Sequence, residues 1–268
     1  MVRRGHVAQR SDSFRLFRDF FVGAATVATV GLALSTAPRN ASAAGAAAFC
    51  ETVPALNSLD MTQPLNLGEL KLQILNYACT GAYDAEIAKV LSEAQAYVEK
   101  RAGEVVKPAL VLDIDETSLM NFPEIIANDF GYIDTGGCEV LPKGPCGWRA
   151  WVLSAKAKAI EPTRDLFRAA RAKGVAVFFV TGRRDDDVQR QATVKNLTDA
   201  GYEGWAGLSM RPPDDHNASV VPYKSGERAK IAAQGYTIIA NVGDQRSDLE
   251  GGYAERAYKV PDPFYFIP

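Results

Sequence analysis

Four aspartates of this 268-residue chain stand directly behind apolar segments, at positions where carboxylates can do chemistry. Two follow residues 109–112 and two follow residues 236–242, and they are Asp113, Asp115, Asp244 and Asp248. Ligands of open parallel sheets bind beyond the C-terminal ends of the strands, so we expect the four carboxylates to gather at one edge. Clustered carboxylates repel one another unless a cation lies among them. The pattern therefore indicates a metal site.

Mg²⁺ is the cation that such carboxylates favour, because it prefers hard oxygen ligands and commonly binds beside a substrate phosphate. We predict Asp113, Asp115 and Asp244 as direct ligands. Alternation along an extended chain would turn Asp113 and Asp115 to the same side. Asp248, four residues after Asp244, is predicted as an outer ligand or as a partner of the ligands.

Mg²⁺ needs only part of this set, and the remaining groups fit phosphoryl transfer. Asp113, at the end of a rigid strand, can attack phosphorus and form an aspartyl phosphate. Asp115 can protonate the leaving oxygen and then activate water. Thr181, which follows residues 175–180, offers a hydroxyl to the phosphoryl group, and Lys224 offers positive charge to its oxygens.

Each of these short motifs alone is weak evidence for phosphoryl transfer, and only their order along the chain is informative. A D-x-D sequence also occurs in metal-dependent glycosyltransferases, and a lysine usually lies at a solvated surface. Arg183 fits contact with phosphate and pairing with a carboxylate equally well, and both interpretations stay open. Trp148 and Trp151 could stack on an aryl group, but packing of their helix onto the core is the interpretation we favour.

Five apolar segments are predicted as the strands that position these residues. They cover residues 109–112, 175–180, 204–209, 236–242 and 257–260. Helical spacing of apolar residues lies between them, over residues 162–173, 186–200 and 226–233. This alternation indicates an α/β fold with a parallel sheet.

We predict one domain over residues 44–268, with two additions to the sheet and its helices. An N-terminal helical extension covers residues 66–107, and Asp84 is predicted to cap its second helix. A small insertion of about residues 118–160 follows the first strand. Lys224 is placed in a loop upstream of the helix that begins at Gly226.

The composition is that of an ordinary globular protein, with 47% hydrophobic and 23% charged residues. These proportions exclude collagen-like and intrinsically disordered classes. The net charge is −2, so no basic surplus exists to bind a nucleic-acid backbone.

Residues 1–43 are predicted as a cleaved signal peptide. Five arginines precede an uncharged segment over residues 20–37, and Ala41-Ser42-Ala43 is the expected cleavage site. An uncleaved membrane anchor is the alternative, but the segment's glycines and hydroxyl residues make it weakly hydrophobic, and no stable anchor is expected. The remaining chain, with 24 basic and 30 acidic residues, would be an acidic exported protein, periplasmic or secreted.

Export changes the interpretation of the four cysteines, because disulfides persist in oxidising compartments. We expect Cys138 and Cys146, which flank a Gly/Pro-rich segment, to pair with each other. That pairing leaves Cys50 with Cys79, although four cysteines allow three connectivities.

The chain resembles the haloacid dehalogenase (HAD) superfamily, and most closely its subfamily IIIB acid phosphatase branch of bacterial class B and class C and plant vegetative acid phosphatases. The similar stretches span most of residues 105–268. They are LVLDIDETSLMN at 110–121, WRAWV at 148–152, FFVTGRRD at 178–185, YKSGERAKI at 223–231, NVGDQRSDLEG at 241–251 and VPDPFYFIP at 260–268. One departure is Arg246, where the family often has an aromatic residue, and we expect this side chain to point to solvent.

The resemblance implies a Rossmann-like three-layer α/β fold with a small cap inserted after the first strand. It also implies Mg²⁺-dependent hydrolysis of phosphomonoesters through an aspartyl phosphate. Asp113 falls on the family's nucleophile, Asp115 on its acid/base, and Thr181 and Lys224 on its phosphate-binding pair. Asp244 and Asp248 fall on its acidic metal-binding end, and the backbone carbonyl of Asp115 completes the metal site.

The expected activity is that of an exported acid phosphatase acting on small phosphomonoesters, with nucleoside monophosphates as substrates implied by the resemblance alone. Two alternatives stay open. A phosphotransferase would use the same residues and pass the phosphoryl group to an alcohol. A storage or phosphate-binding protein would lack turnover, but some plant relatives of that kind lack the nucleophilic aspartate, whereas Asp113 is present here.

Overall fold

The computed structural model describes residues 66–268. The signal peptide predicted over residues 1–43, its cleavage site and Cys50 lie outside the described residues. The helices and strands follow one another in this order: α1 (Leu67–Cys79), α2 (Ala82–Arg101), β1 (Pro108–Leu112), β2 (Leu119–Met120), α3 (Phe122–Ala127), α4 (Trp148–Ser154), β3 (Lys158–Ala159), α5 (Glu161–Ala172), β4 (Ala176–Arg184), α6 (Asp187–Asp199), β5 (Gly207–Arg211), α7 (Val221–Ala233), β6 (Thr237–Gly243), α8 (Arg246–Leu249) and β7 (Arg256–Lys259).

Five strands form one parallel sheet in the order β5-β4-β1-β6-β7. β1 lies at the centre, and its last four residues are buried, as expected for an apolar strand covered on both faces. The neighbours of β1 are β4 and β6. The residues that follow β1 therefore meet those at the ends of β4 and β6, and the predicted parallel α/β fold is confirmed.

Helices pack on both faces of this sheet. Successive side chains of each strand point to opposite faces, so each strand contacts both helical layers. Leu110 and Leu112 pack into one cluster that includes Phe167 of α5 and residues of α2. Val111 belongs to a separate cluster with Ile231 of α7. The result is three layers, with α2 and α5 on one face and α7 on the other.

Two predicted boundaries near the site are wrong. α7 begins at Val221, not Gly226, because Pro222 occupies its first turn, where the missing N–H needs no partner. Lys224 therefore lies within the helix rather than in a loop before it. β4 continues to Arg184 instead of ending at residue 180, and its pairing with β5 is irregular between Thr181 and Arg184.

The helical extension is confirmed as two helices, α1 and α2, but Asp84 does not cap the second one. Gly81 occupies the N-cap position of α2 with a left-handed backbone, φ 81°, a conformation that glycine adopts without steric cost. Asp84 lies in the first turn, where a negative charge interacts favourably with the helix dipole.

The segment after β1 has a small sheet of its own, in which β2 pairs antiparallel with β3. Both tryptophans lie on α4 within this segment. Trp151 is 4% exposed and belongs to the main core cluster, while the partly buried Trp148 packs against that cluster. The expected packing role is therefore confirmed for both side chains. The division of the chain into domains stays a prediction.

Cys138 and Cys146 form the predicted disulfide, at a sequence separation of 8. Cys79 is also disulfide-bonded, but its predicted partner Cys50 lies outside the described residues, so that pairing stays a prediction. Within residues 66–268, no helix is both long enough and apolar enough to cross a membrane.

Candidate active site

Asp113 occupies the position directly after the central strand. Its backbone N–H donates to the carbonyl of Val242 at 3.0 Å, which continues the pairing of β1 with β6. The hydroxyl of Ser118 donates to the Asp113 carbonyl at 2.6 Å. These contacts fix the backbone, and the buried carboxylate accepts a bond from Lys224 Nζ to its Oδ1 at 2.6 Å.

Lys224 joins two of the predicted carboxylates. Its ammonium, on the first turns of α7, also donates to Oδ1 of Asp248. Burial lowers the pKa of Lys224, but the charges of Asp113 and Asp248 outweigh burial and raise it above its ordinary value. Lys224 is therefore a fixed positive charge, not the solvated surface lysine that is the common case.

The acidic end after β6 is built by the first turn of α8. Asp248 Oδ2 accepts from the backbone N–H of Gln245 at 2.8 Å, within a capping box. Asp244 Oδ1 accepts from the Thr117 hydroxyl at 3.0 Å, and its Oδ2 accepts from Gln245 Nε2 at 2.7 Å. A side chain at Gly243 would overlap Asp248, so the close approach of β6 to α8 requires glycine there.

The carboxylates of Asp113, Asp244 and Asp248 form a cluster in which one oxygen of each lies within 4.8 Å of the others. All three are buried. Burial raises the pKa of Asp113, Lys224 opposes this shift, and Asp248 adds to it. Burial and Asp248 also raise the pKa of Asp244 well above its ordinary value.

A divalent cation fits this cluster. Three buried carboxylates face one ammonium, so the set carries a surplus of negative charge that a cation would neutralise. The donors are hard oxygens, the kind of ligand that Mg²⁺ and Ca²⁺ prefer.

Asp115 is directed away from this cluster and toward Arg183 on β4. The guanidinium contacts both carboxylate oxygens, with Nε 3.1 Å from each and Nη2 2.7 Å from Oδ1. Arg183 is itself buried, donates to Thr193, and has its guanidinium 5.9 Å from the ring centre of Trp148. The sequence left two interpretations of Arg183 open, contact with phosphate and pairing with a carboxylate. The structure shows the pairing, with Asp115.

Thr181 is fully buried on β4, and its hydroxyl accepts from the backbone N–H of Arg183 at 3.1 Å. Gly182 and Arg183, at the irregular end of β4, line the adjoining cavity together with Asp113, Asp115 and Lys224. The structure thus gathers the predicted residues around one cavity, but Thr181 lies behind its wall rather than on it.

This cavity has a volume of about 830 Å³. The acidic cluster, Asp115 and Lys224 form one end. Aromatic side chains line the rest, from the segment after β1 and from the last residues of the chain: Phe130, Tyr132, Trp148, Phe264, Tyr265 and Phe266. Of the C-terminal aromatics, Phe264 also packs against the core. Their contribution to the cavity wall was not predicted. Arg246 is exposed, as expected.

A buried carboxylate next to the site was given no role by the sequence. Glu116 is fully buried with a left-handed backbone, φ 52°. Its carboxylate accepts bonds from Asn121 and from the Tyr265 hydroxyl, the latter at 2.8 Å. Burial raises its pKa well above the ordinary value, and the charges of Asp262 and Asp115 add to this. The sequence D-I-D-E-T contains Glu116, but no local pattern predicts its hydrogen bonds with Asn121 and Tyr265.

Arg228 is a second residue that sequence reasoning missed. It lies one turn after Lys224 on α7 and is 1% exposed. Its guanidinium donates to backbone carbonyls of α8 and of the segment after it, at 2.6 Å to Asp248 and 2.9 Å to Gly252, and also to Glu250. The same helix thus binds the side chain of Asp248 through Lys224 and its backbone through Arg228.

The chain is similar to an acid phosphatase family and to plant proteins that include an acid phosphatase and a stem glycoprotein. The family model described as HAD superfamily, subfamily IIIB (acid phosphatase) matches residues 43–268. Acid phosphatase 1 of Solanum lycopersicum is 33% identical over 196 residues, which cover 72% of this chain and 73% of that protein. The stem 28 kDa glycoprotein of Glycine max is 34% identical over 177 residues, covering 65% and 66%.

A solved structure shows the same fold. The class C acid phosphatase from Bacillus anthracis superimposes with a TM-score of 0.58 at 23% identity, covering 74% of this chain and 86% of that one. This agrees with the parallel sheet and with the resemblance read from the motifs. The chain therefore belongs to the subfamily IIIB acid phosphatases of the HAD superfamily and is a phosphomonoester hydrolase.

Proposed function

We propose that this protein is an exported, Mg²⁺-dependent acid phosphatase that hydrolyses small phosphomonoesters through an aspartyl phosphate on Asp113. The observation that carries the proposal is the position of Asp113. Its carboxylate lies at the end of the central strand, bonded to Lys224, within the acidic cluster, and on the wall of the cavity.

The first step forms a covalent intermediate. An oxygen of Asp113 attacks the phosphorus of the substrate, and the bond from phosphorus to the leaving oxygen breaks. Asp115 gives its proton to that oxygen, so that an alcohol leaves. Lys224 holds positive charge beside the phosphoryl oxygens while their negative charge grows.

The second step returns the enzyme to its starting state. Asp115, now ionised, takes a proton from water as the water attacks the phosphorus of the aspartyl phosphate. Inorganic phosphate leaves, and Asp113 is regenerated as a carboxylate. The pairing of Asp115 with Arg183 supports this role because it fixes the carboxyl group at the cavity wall.

Three carboxylates of the acidic cluster, with the backbone carbonyl of Asp115, are the groups that would hold Mg²⁺. The cation, when bound, would supply Lewis-acid stabilisation of the phosphoryl oxygens. The surplus negative charge of Asp113, Asp244 and Asp248 supports this assignment, because it also repels a substrate phosphate unless it is neutralised.

The substrates we propose are small, with nucleoside monophosphates among them. A cavity of about 830 Å³ lies within the range that holds drug-sized ligands. Its aromatic wall suits an apolar or planar leaving group.

Export is supported by the sequence of residues 1–43 and by the disulfide between Cys138 and Cys146, since such bonds persist in oxidising compartments.

A phosphotransferase activity on the same residues is tested by adding an alcohol acceptor and analysing the products. A storage role predicts a folded protein without turnover.

The test of metal dependence is hydrolysis of p-nitrophenyl phosphate by residues 44–268, with Mg²⁺ and with EDTA. We expect chelation to lower kcat/KM by about 100-fold or more, since a metal ion contributes several kcal/mol to the transition state. Added Mg²⁺ should restore the rate. Full activity of the protein after dialysis against EDTA would contradict the proposed metal requirement.

A further inference from the structure

The amide of Asn121 has only one orientation that its buried surroundings permit. Its Oδ1 accepts a bond from Trp151 Nε1 at 2.8 Å, and the residue is fully buried. An indole N–H can only donate, so the oxygen must face Trp151. The NH₂ group of Asn121 is therefore directed to the opposite side.

On that side, the NH₂ group lies between two carboxylates. Nδ2 donates to Oδ1 of Asp115 at 2.9 Å and to Oε2 of Glu116 at 3.0 Å. The backbone N–H of Asn121 donates to Oε1 of Glu116 at 2.5 Å. Glu116 thus fixes the position of Asn121. Asn121 in turn contacts Asp115, whose carboxylate lines the cavity.

The two oxygens of Asp115 are consequently not equivalent. Oδ1 accepts from Nε and Nη2 of Arg183 and from Nδ2 of Asn121. Oδ2 accepts, among the described residues, one bond of 3.1 Å from the same Arg183 Nε that also contacts Oδ1. Oδ2 is the oxygen with lone pairs left to carry and exchange a proton.

We propose that Trp151 and Asn121 are positioning residues that occupy Oδ1 of Asp115 and thereby assign proton exchange with the leaving oxygen to Oδ2. The inference rests on the proposed role of Asp115 as acid/base. Trp151 belongs to α4, in the segment inserted after β1. Through Asn121, the indole therefore couples the position of this inserted segment to the orientation of the Asp115 carboxyl group.

The test is the leaving-group dependence of Trp151→Phe, which keeps an aromatic ring but removes the N–H. For this variant, kcat/KM is measured with p-nitrophenyl phosphate and with an alkyl phosphate. A p-nitrophenolate leaves without a proton, whereas an alkoxide needs one. We expect a loss of about threefold for the aryl ester and about 30-fold for the alkyl ester, within the usual contribution of general acid catalysis.

The ratio of the two kcat/KM values is the decisive quantity, because the concentration of folded enzyme cancels from it. Asn121→Ala, which removes the three side-chain bonds to Trp151, Asp115 and Glu116, should shift the ratio in the same direction. Trp205→Phe is the matched control, since Trp205 packs against the core ahead of β5, at the opposite end of the sheet. Its ratio should equal that of the unchanged protein.

Equal losses on both esters in Trp151→Phe and Asn121→Ala, or no loss, would overturn the positioning role. The variant Asp115→Asn separates this result from a failure of the proposed function. If Asp115→Asn shows the split and Trp151→Phe does not, only the positioning role is wrong. If Asp115→Asn itself loses the same factor on both esters, Asp115 is not the acid.

Discussion

The Asp113→Asn enzyme should turn over phosphomonoesters more slowly than the unchanged enzyme by a factor of about 10⁴ or more in kcat, as for the loss of other catalytic nucleophiles. The amide has nearly the same shape as the carboxylate, but its oxygen does not form a stable acyl phosphate. The substitution also removes one negative charge from the cluster with Asp244 and Asp248. We therefore expect the variant to fold with undiminished stability.

The measurement is steady-state hydrolysis at saturating Mg²⁺, with thermal unfolding recorded on the same samples. Asp199→Asn is the control, because Asp199 is an exposed carboxylate at the end of α6 that pairs with Lys195. It should retain full activity. Turnover of Asp113→Asn within tenfold of the unchanged enzyme would show that Asp113 is not the nucleophile.

Replacing Lys224 with methionine should reduce both stability and activity. Lys224 is bonded to Asp113 and Asp248, and each of the three side chains is at most 6% exposed. Removal of the ammonium leaves two buried carboxylates without their positive partner, which costs about 3–5 kcal/mol in comparable cases. Without divalent cations, we expect a loss of that size in the free energy of unfolding.

Mg²⁺ should recover part of the lost stability of Lys224→Met, because the cation would neutralise the same carboxylates. Activity should stay low even then, since the charge beside the phosphoryl oxygens is missing, and a loss of about 10³ in kcat/KM is expected for such a group. Urea unfolding with and without Mg²⁺ gives the first quantity, and p-nitrophenyl phosphate kinetics give the second.

Lys230→Met is the control for this comparison. Lys230 lies on the same helix, α7, but its side chain is 71% exposed and pairs with Glu227 at the surface. Surface pairs contribute little to stability, so this variant should behave like the unchanged protein. An unaltered unfolding curve for Lys224→Met would mean that the buried ion pairs do not hold the site together.

The sequence predicts which residues form the site, because the patterns that indicate them are local. The four aspartates each follow an apolar strand, and parallel strands bring their C-terminal ends to one edge. The sequence therefore predicts that Asp113, Asp115, Asp244 and Asp248 gather at one edge of the sheet. In the structure they lie at one end of a single cavity.

The contacts that orient Asp115 could not be predicted, because they join residues that are distant in the chain. Trp151 reaches Asn121 across 30 positions, and Arg183 reaches Asp115 across 68. Alternation along an extended strand was expected to turn Asp113 and Asp115 to the same side. The strand ends at Leu112 instead, and the two carboxylates contact different partners beyond it.

The two misplaced boundaries have different causes. A proline in VPYKSGE suggests a loop, yet Pro222 fits the first turn of α7. The glycine of T-G-R suggests the end of a strand, yet β4 continues through an irregular pairing to Arg184. At Pro222 one local pattern fits both a loop and a helix start, whereas the end of β4 is set by its pairing with β5, which joins residues distant in the chain.

Trapping the covalent intermediate tests the proposed mechanism most directly. The enzyme would be mixed with excess p-nitrophenyl phosphate and Mg²⁺ and quenched in acid within milliseconds, and its peptides would be analysed by mass spectrometry. We expect one added phosphoryl group on the peptide that contains Asp113, lost on treatment with hydroxylamine and absent from Asp113→Asn. A phosphoryl group on another residue, or continued turnover with no trapped acyl phosphate, would contradict this mechanism.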